Sequence, residues 1–211
     1  MIIINFKNYK SGKEVLVLCR KIEKYLSEAV VAVGDYDIRL VSVKTKLRVF
    51  AQHVDYYKTE RATGFAIPEI VKRAGAEGSL LNHSEHRLTE ETIRRTIKRT
   101  NEAGLKIVLC VESVKQAVRL RDLKPWAIAY EDSELVASGR SITQFRQNDI
   151  EDFVGVLKGS KILPLCGAGI HTKYDVLAAK QIGCKGVLIS SAIAKSRNAE
   201  KLLKELKKVY Y

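Results

Sequence analysis

The sequence predicts an α/β fold, a closed (β/α)8 barrel, because short apolar segments alternate with helical patterns along the whole chain. Nearly all residues of these eight segments are apolar, as expected for parallel strands that are buried on both faces. The predicted strands are Ile2–Asn5, Ala29–Val33, Leu47–Ala51, Gly78–Asn82, Lys106–Val111, Trp126–Tyr130, Ile162–Cys166 and Gly186–Ile189. A chain of 211 residues is long enough for one such barrel, so we expect a single domain over residues 1–211.

Residues typical of helix ends lie between the predicted strands. In "LTEETIRRTIKRTNEAG", Thr89 is a candidate N-cap, acids follow in the first turn, and Gly104 is a stop signal. "SVKQAVRLRDL" and "TKYDVLAAKQIG" also begin with Ser or Thr. The segment Tyr36–Lys44 is rich in β-prone residues, but parallel second and third strands need a crossover between them, so we expect a helix there.

An open, doubly wound sheet is the alternative architecture. That fold often has a G-x-G-x-x-G motif after its first strand, whereas this chain has "NFKNYKSG" there. The barrel is therefore the favoured prediction.

Composition and charge exclude several classes of protein. No apolar run reaches the 18 residues or more of a membrane span, and the N-terminus is a poor signal peptide, so we expect a cytoplasmic protein without a membrane partner. The four cysteines form no C-x-x-C pair, which argues against a zinc site or a disulfide framework. The net charge is +13, but the basic residues are dispersed along helical patterns without an aromatic platform, so we expect no nucleic-acid partner.

The ends of the first, fourth and sixth strands carry residues suited to proton transfer, and catalytic groups in such barrels follow the carboxyl ends of strands. Asn5 and Lys7 alternate across Phe6, which predicts that an amide and an ammonium group point the same way. His83 follows the fourth strand, and a neutral imidazole can donate a hydrogen bond or shuttle a proton. Glu131 ends the sixth strand, where a carboxylate can serve as a general base.

Small residues follow the seventh and eighth strands. "CGAGI" contains Gly167 and Gly169, which let backbone approach a ligand closely, and Ser190 and Ser191 follow the eighth strand. Backbone N–H groups at these two positions form the usual phosphate site of (β/α)8 barrels. The sequence therefore predicts a phosphate site here.

The other histidines give no sign of a metal centre. His171 follows "CGAGI" and could reach the barrel mouth, whereas His53 and His86 have no obvious position in it. No two histidines have metal-ligand spacing with a nearby acid on one face, so we expect no metal ion.

Taken together, these segments make the chain resemble the triosephosphate isomerase family, and its short archaeal branch in particular. The matching segments, in family order, are "NFKNY", "AQHVD", "TGFAIPEIVKRAGAEGSLLNHSEHR", "AYEDSELVASG", "CGAGI" and "GVLISSA". The resemblance implies a TIM barrel that interconverts dihydroxyacetone phosphate and D-glyceraldehyde 3-phosphate through an enediolate, in glycolysis and gluconeogenesis. It also implies a homo-oligomer, dimer or tetramer, that needs no cofactor.

The resemblance assigns roles to residues of this chain. It implies that Asn5 and Lys7 bind the substrate, that His83 is the electrophile and that Glu131 is the catalytic base, with Glu85 as a supporting residue. The remaining substrate-binding residues, largely on the phosphate side, are Val136, Gly139, Gly169, Ser190 and Ser191.

The segment after Glu131, the lid of that family, departs from the family pattern. Asp132 and Ser133 stand where the family has proline, and Ala137 stands where the branch has a flexible glycine. We therefore expect an active enzyme with altered lid kinetics. A degenerate isomerase-like barrel that only binds a phosphorylated ligand or acts as a scaffold is the alternative. A sugar-phosphate epimerase barrel is a further alternative, although it would lack this combination of residues at strands one, four and six.

Overall fold

The computed structural model describes residues 1–59, 61–131 and 147–210. Its eight strands form a closed barrel in which each strand is parallel to the next, and the last strand pairs with the first. The (β/α)8 prediction is therefore confirmed, and every predicted strand is present within one residue at either end. The strands are β1 (Ile2–Asn5), β2 (Val30–Val33), β3 (Arg48–Ala51), β4 (Gly78–Leu81), β5 (Lys106–Val111), β6 (Ala127–Tyr130), β7 (Leu163–Cys166) and β8 (Gly186–Ile189).

Helices surround this barrel. They are α1 (Lys13–Tyr25), α2 (Asp35–Lys44), α3 (Pro68–Ala74), α4 (Glu90–Ala103), α5 (Val114–Leu120), α6 (Gln147–Leu157), α7 (Lys173–Gln181), α8 (Ser191–Ala194) and α9 (Ala199–Tyr210), with a 3-10 turn at Arg121–Leu123. No helix within the described ranges has an apolar stretch of the length that a bilayer crossing requires.

The strands divide their side chains between two apolar layers, because successive residues of a strand point to opposite faces. Ile3, Val30 and Leu188 lie on neighbouring strands and fill the interior of the barrel together with Phe50 and Leu165. The alternate residues face outward and pack beneath the helices in a second, larger layer. Both faces of the sheet are thus buried, which explains why the strands read as continuous apolar runs.

The helix-start signals act as the sequence indicates. The side chains of Thr89, Ser113 and Thr172 each accept a hydrogen bond from the backbone N–H three residues later. At Thr172 the reciprocal bond is also present, since Asp175 accepts from the backbone of Thr172 and completes a capping box. Local hydrogen bonds therefore fix where these helices begin.

Helix α2 forms from residues with strand propensity. Its Ile38 and Val41 are fully buried, and β2 and β3 on either side of it pair in parallel. A parallel pair requires a crossover connection, so packing against the sheet outweighs the local preference. The predicted helix over this segment is confirmed.

Candidate active site

The turn after β1 brings Asn5 and Lys7 to the same cavity. Both residues line a cavity of about 230 Å³ at the carboxyl ends of the strands. Simple strand alternation does not explain this, because Lys7 lies beyond β1 with a φ of 45°, in the left-handed region. The Asn5 side chain accepts a hydrogen bond from the Lys7 backbone N–H at 2.9 Å and holds the turn. This hydrogen bond helps to offset the cost of the left-handed backbone at Lys7, which is about 1–2 kcal/mol.

The Lys7 ammonium is held by an acid. Its Nζ lies 2.6 Å from Oε1 of Glu85, and the Lys7 carbonyl accepts from the Gln52 side chain at 2.8 Å. The Glu85 side chain is 56% exposed, whereas that of Lys7 is only 11% exposed. Lys7 is therefore held at its backbone carbonyl by Gln52 and at its ammonium group by Glu85.

Backbone contacts around His83 set its orientation and tautomer. Asn82 precedes it in the left-handed region, with its side chain bonded to the Cys110 carbonyl at 2.8 Å and to the Leu88 N–H at 2.9 Å. The backbone N–H of Glu85 donates to Nδ1 of His83 at 3.1 Å. Because Nδ1 accepts, the neutral ring carries its proton on Nε2, which is the atom that faces Glu131.

Glu131 is a fully buried carboxylate at the end of β6. Its backbone N–H donates to the Val111 carbonyl at 2.7 Å, and its Oε2 accepts from the Ser84 N–H at 3.1 Å. Its Oε1 lies 3.6 Å from Nε2 of His83 and has no hydrogen-bond partner among the described residues. A buried oxygen without a partner is costly, so its retention indicates a group that a ligand completes.

Gly167 has a role beside the one predicted for it. A Cβ at this position would lie 2.7 Å from Cγ of Glu131 and 3.1 Å from the Tyr130 carbonyl oxygen. Gly167 lines the cavity, but the absence of its side chain makes room for the carboxylate rather than only for a ligand. The sequence gives no local signal for this contact, because it joins two different strands.

Cys110 is a second residue whose contact with Glu131 the sequence did not predict. It is fully buried in the barrel interior on β5. Burial raises the pKa of its thiol well above the ordinary value, and the neighbouring Glu131 raises that pKa further. The Glu131 carboxylate therefore lies beside a neutral thiol rather than beside another anion.

The turns after β7 and β8 line the same cavity as Asn5, Lys7 and His83. Gly169 has a φ of 62°, a left-handed backbone that favours glycine. Ser190 and Ser191 also line the cavity, and the Ser190 hydroxyl is buried with no hydrogen-bond partner within the described residues. The structure thus brings Gly169, Ser190 and Ser191 together with Asn5, Lys7 and His83. Val136 and Gly139 lie outside the described residues.

The remaining histidines line the main cavity or the cavity beside it. His171 lines the cavity, as expected. For His53 and His86 the sequence indicated no obvious position in the mouth; in the structure they line an adjacent cavity of about 500 Å³ with Lys7 and His83. Their rings are 4.2 Å apart between centroids, because the loops after β3 and β4 meet there. In the described ranges no three His, Cys, Asp or Glu side chains cluster as a metal site would require.

The fold is that of (β/α)8 enzymes, whose sites lie at the carboxyl ends of the strands. At that end the buried Glu131 carboxylate lies 3.6 Å from the His83 imidazole. The family model described as triosephosphate isomerase matches residues 1–206. The chain therefore belongs to the triosephosphate isomerase family, so it is an intramolecular isomerase with a phosphorylated triose as substrate.

Individual relatives place it near archaeal members. A curated triosephosphate isomerase from Saccharolobus solfataricus is 37% identical, over 97% of this chain and 93% of the relative. One from Methanothermus fervidus is 34% identical, over 98% of this chain and 96% of the relative. The crystal structure of the Bartonella henselae triosephosphate isomerase superposes with a TM-score of 0.78 at 18% identity, covering 99% of this chain and 98% of that one. The last comparison shows a shared fold.

Proposed function

We propose that Glu131, His83 and Lys7 carry out the interconversion of dihydroxyacetone phosphate and D-glyceraldehyde 3-phosphate in this chain. The supporting observation is the 3.6 Å distance between the unpartnered Oε1 of buried Glu131 and the protonated Nε2 of His83. A base and a hydrogen-bond donor thus face one small space, as proton transfer next to a carbonyl requires.

In the proposed reaction, Oε1 of Glu131 removes a proton from the carbon next to the substrate carbonyl. The electron pair moves onto the carbonyl oxygen and forms an enediolate. The Nε2–H of His83 and the ammonium of Lys7 stabilise the negative oxygen. The hydroxyl proton of the enediolate then passes to this former carbonyl oxygen, and Glu131 returns its proton to the former carbonyl carbon, so that the new carbonyl forms on the neighbouring carbon. Glu131 and the substrate end with the protons that they began with, so no cofactor enters the balance.

The supporting residues follow from their contacts. Asn5 holds the turn that positions Lys7, and Glu85 holds the ammonium through its 2.6 Å ion pair. We assign the phosphate group of the substrate to Gly169, Ser190 and Ser191, because the buried Ser190 hydroxyl lacks a partner in the described part of the chain. Val136 and Gly139 remain predicted contacts of the closed lid.

An assay that couples D-glyceraldehyde 3-phosphate isomerisation to a dehydrogenase tests this function, repeated in D2O. We expect turnover, with deuterium from the solvent entering the carbon-bound position that exchanges during the reaction. A chain that binds a phosphorylated analogue but does not turn over would instead support the scaffold alternative. An epimerase would exchange deuterium without producing the ketose–aldose interconversion.

Assembly is a separate proposal, a homo-oligomer through the loop between β3 and α3. Tyr56 and Tyr57 stack with ring centroids 4.5 Å apart, Phe65 lies 4.0 Å from Tyr57, and the Arg95 guanidinium lies 3.8 Å from the centre of the Tyr56 ring. Phe65 is 45% exposed, and exposed aromatic groups with arginine are typical of interface anchors. Sedimentation of the chain and of a Phe65→Ser variant tests this, since a monomeric parent would contradict it.

The other expectations stay predictions. They are a dimer or a tetramer, a single domain over residues 1–211, a cytoplasmic location, and no nucleic-acid or membrane partner.

A further inference from the structure

A second lysine reaches the cavity from the turn after β8. Lys195 directly follows the short helix α8, and its backbone N–H donates to the Ser191 carbonyl at 3.1 Å. Its side chain lines the same 230 Å³ cavity as Lys7 and Ser190. The fold thus delivers one ammonium from β1 and another from β8, and these two strands are neighbours in the closed barrel.

The two lysines have opposite kinds of partner. Lys7 is bound to a carboxylate, Glu85, at 2.6 Å. Nζ of Lys195 lies 5.2 Å from the centre of the Tyr9 ring and forms no ion pair with any described residue. A carboxylate cancels the charge it holds, whereas an aromatic face restrains an ammonium and leaves its charge and its N–H donors available. Tyr9 itself lines the cavity.

The charges of the other side chains at the site indicate what the ammonium of Lys195 adds. Lys7 contributes one positive charge, while Glu85 and Glu131 contribute two negative charges, so these three groups together repel an anion. A phosphate ester carries about −1.5 to −2 charges near neutral pH. The phosphate-side residues Gly169, Ser190 and Ser191 are neutral. Lys195 adds a second positive charge, so the four side chains sum to zero and no longer repel an anion.

We propose that Lys195, restrained by the ring of Tyr9, binds the phosphate group of the substrate. This deepens the proposed function and rests on it, because it assigns a charged partner to the phosphate of the same substrate. The contribution is one of binding: the phosphate is present in substrate and transition state alike, so the lysine acts on both equally. It is therefore a specificity residue rather than part of the proton transfer.

The test is Lys195→Met, which keeps the length of the side chain and removes its charge. We expect KM for D-glyceraldehyde 3-phosphate to rise about tenfold with kcat unchanged, as for uniform binding. The inhibition constant of inorganic phosphate should rise by a similar factor. Lys158→Met is the matched control, since Lys158 is an exposed lysine that does not line the cavity, and it should leave both constants within twofold.

The contact with Tyr9 is tested separately. Tyr9→Leu removes the ring and should raise KM about threefold, consistent with an exposed cation–π contact, whereas Tyr9→Phe keeps the ring and should raise KM less than Tyr9→Leu does. Lys195 is exposed, so its variants should fold, and Lys195→Gln provides a second neutral form.

The outcomes separate this proposal from the function on which it rests. An unchanged KM in both neutral variants, or an effect equal to that of Lys158→Met, would overturn the role of Lys195. A fall in kcat alone would also overturn it, because it would indicate a part in the chemistry. If the parent chain showed no isomerase activity, the proposed function would fail. Calorimetric titration with inorganic phosphate would still decide whether Lys195 binds phosphate.

Discussion

The two ends of the barrel treat their polar groups in opposite ways. At the amino ends of the strands, the Glu77 carboxylate forms ion pairs with Arg48 at 3.0 Å and with Lys106 at 3.5 Å. Both cations also lie within 6 Å of the centre of the Trp126 ring. At the carboxyl ends, polar atoms of Glu131, His171 and Ser190 are buried with no hydrogen-bond partner among the described residues.

This difference separates stability from function. Buried polar atoms without partners destabilise a fold, and proteins retain them mainly where a ligand completes the set. We therefore expect substitutions at the carboxyl ends to change activity more than stability. Substitutions at the amino ends should do the reverse.

The largest expected effect is that of Glu131→Gln. The amide keeps the shape and can still accept from the Ser84 N–H, but it cannot take a proton. We expect kcat to fall by about 10³-fold. The thermal midpoint should stay equal or rise, because a buried charge is removed. Glu112→Gln makes the same chemical change on a side chain that is 53% exposed and should leave kcat within twofold. A Glu131→Gln enzyme with a tenth of parental kcat would contradict the assignment.

The next effect is that of Gly167→Ala at the same end. The added methyl group would lie 2.7 Å from Cγ of Glu131, too close for carbon atoms, so the carboxylate must move. We expect kcat to fall by about 10²-fold, the usual cost of a displacement near 1 Å. The matched control is Gly155→Ala, where the new methyl group meets nothing within 4 Å. Steady-state kinetics at saturating substrate would contradict the idea if both variants matched the parent.

At the amino ends, Trp126→Ala should act on stability instead. The half-buried indole packs beside Phe50 at 5.6 Å and under two cations. We expect a loss of about 2 kcal/mol in the free energy of unfolding, below the usual range for a fully buried tryptophan. Urea titration followed by circular dichroism measures this, and kcat should stay parental. Trp126→Phe should recover most of the loss; a drop in kcat with unchanged stability would reverse the comparison.

The smallest expected effect concerns His53, at the mouth. Burial lowers the pKa of His53, although a hydrogen bond from its Nε2 to the Asp55 carboxylate partly opposes this. Nδ1 of His53 is buried without a partner in the described part of the chain. As pH falls through the ordinary histidine range, the unfolded chain takes up a proton more readily than the folded one, so stability decreases. His53→Gln should make stability less dependent on pH between 7 and 5. The urea midpoint of each protein is measured at several pH values. If the midpoint changed with pH equally in parent and variant, His53 would make no such contribution.

Much of the candidate site could be predicted because each residue stands where a strand ends. Asn5 ends β1 and Glu131 directly follows β6, and a strand that ends on a polar residue marks the mouth of a barrel. The partners of these residues could not be predicted in the same way. Nothing local to Lys7 indicates Glu85, 78 residues away, as the group that holds its ammonium.

Two further contacts at the mouth could not be predicted, for the same reason. His53 and His86 follow different strands, and their contact depends on how two loops fold over the mouth. The cation–π contact of Lys195 with the Tyr9 ring likewise joins the segment after β8 to the segment after β1. Such contacts depend on the closure of the sheet, which no short stretch of sequence encodes.

The sequence by itself determined where strands and helices begin, because apolar periodicity and caps such as Thr89 act over a few residues. It also determined which chemical groups stand at the strand ends. The tertiary structure alone decided their distances: closure of the barrel brings Oε1 of Glu131 within 3.6 Å of Nε2 of His83 and leaves Gly167 no room for a side chain. The physical reason is range, since hydrogen bonds of a cap are satisfied by neighbours in the chain, whereas the mouth is assembled from strands that meet only when the sheet closes.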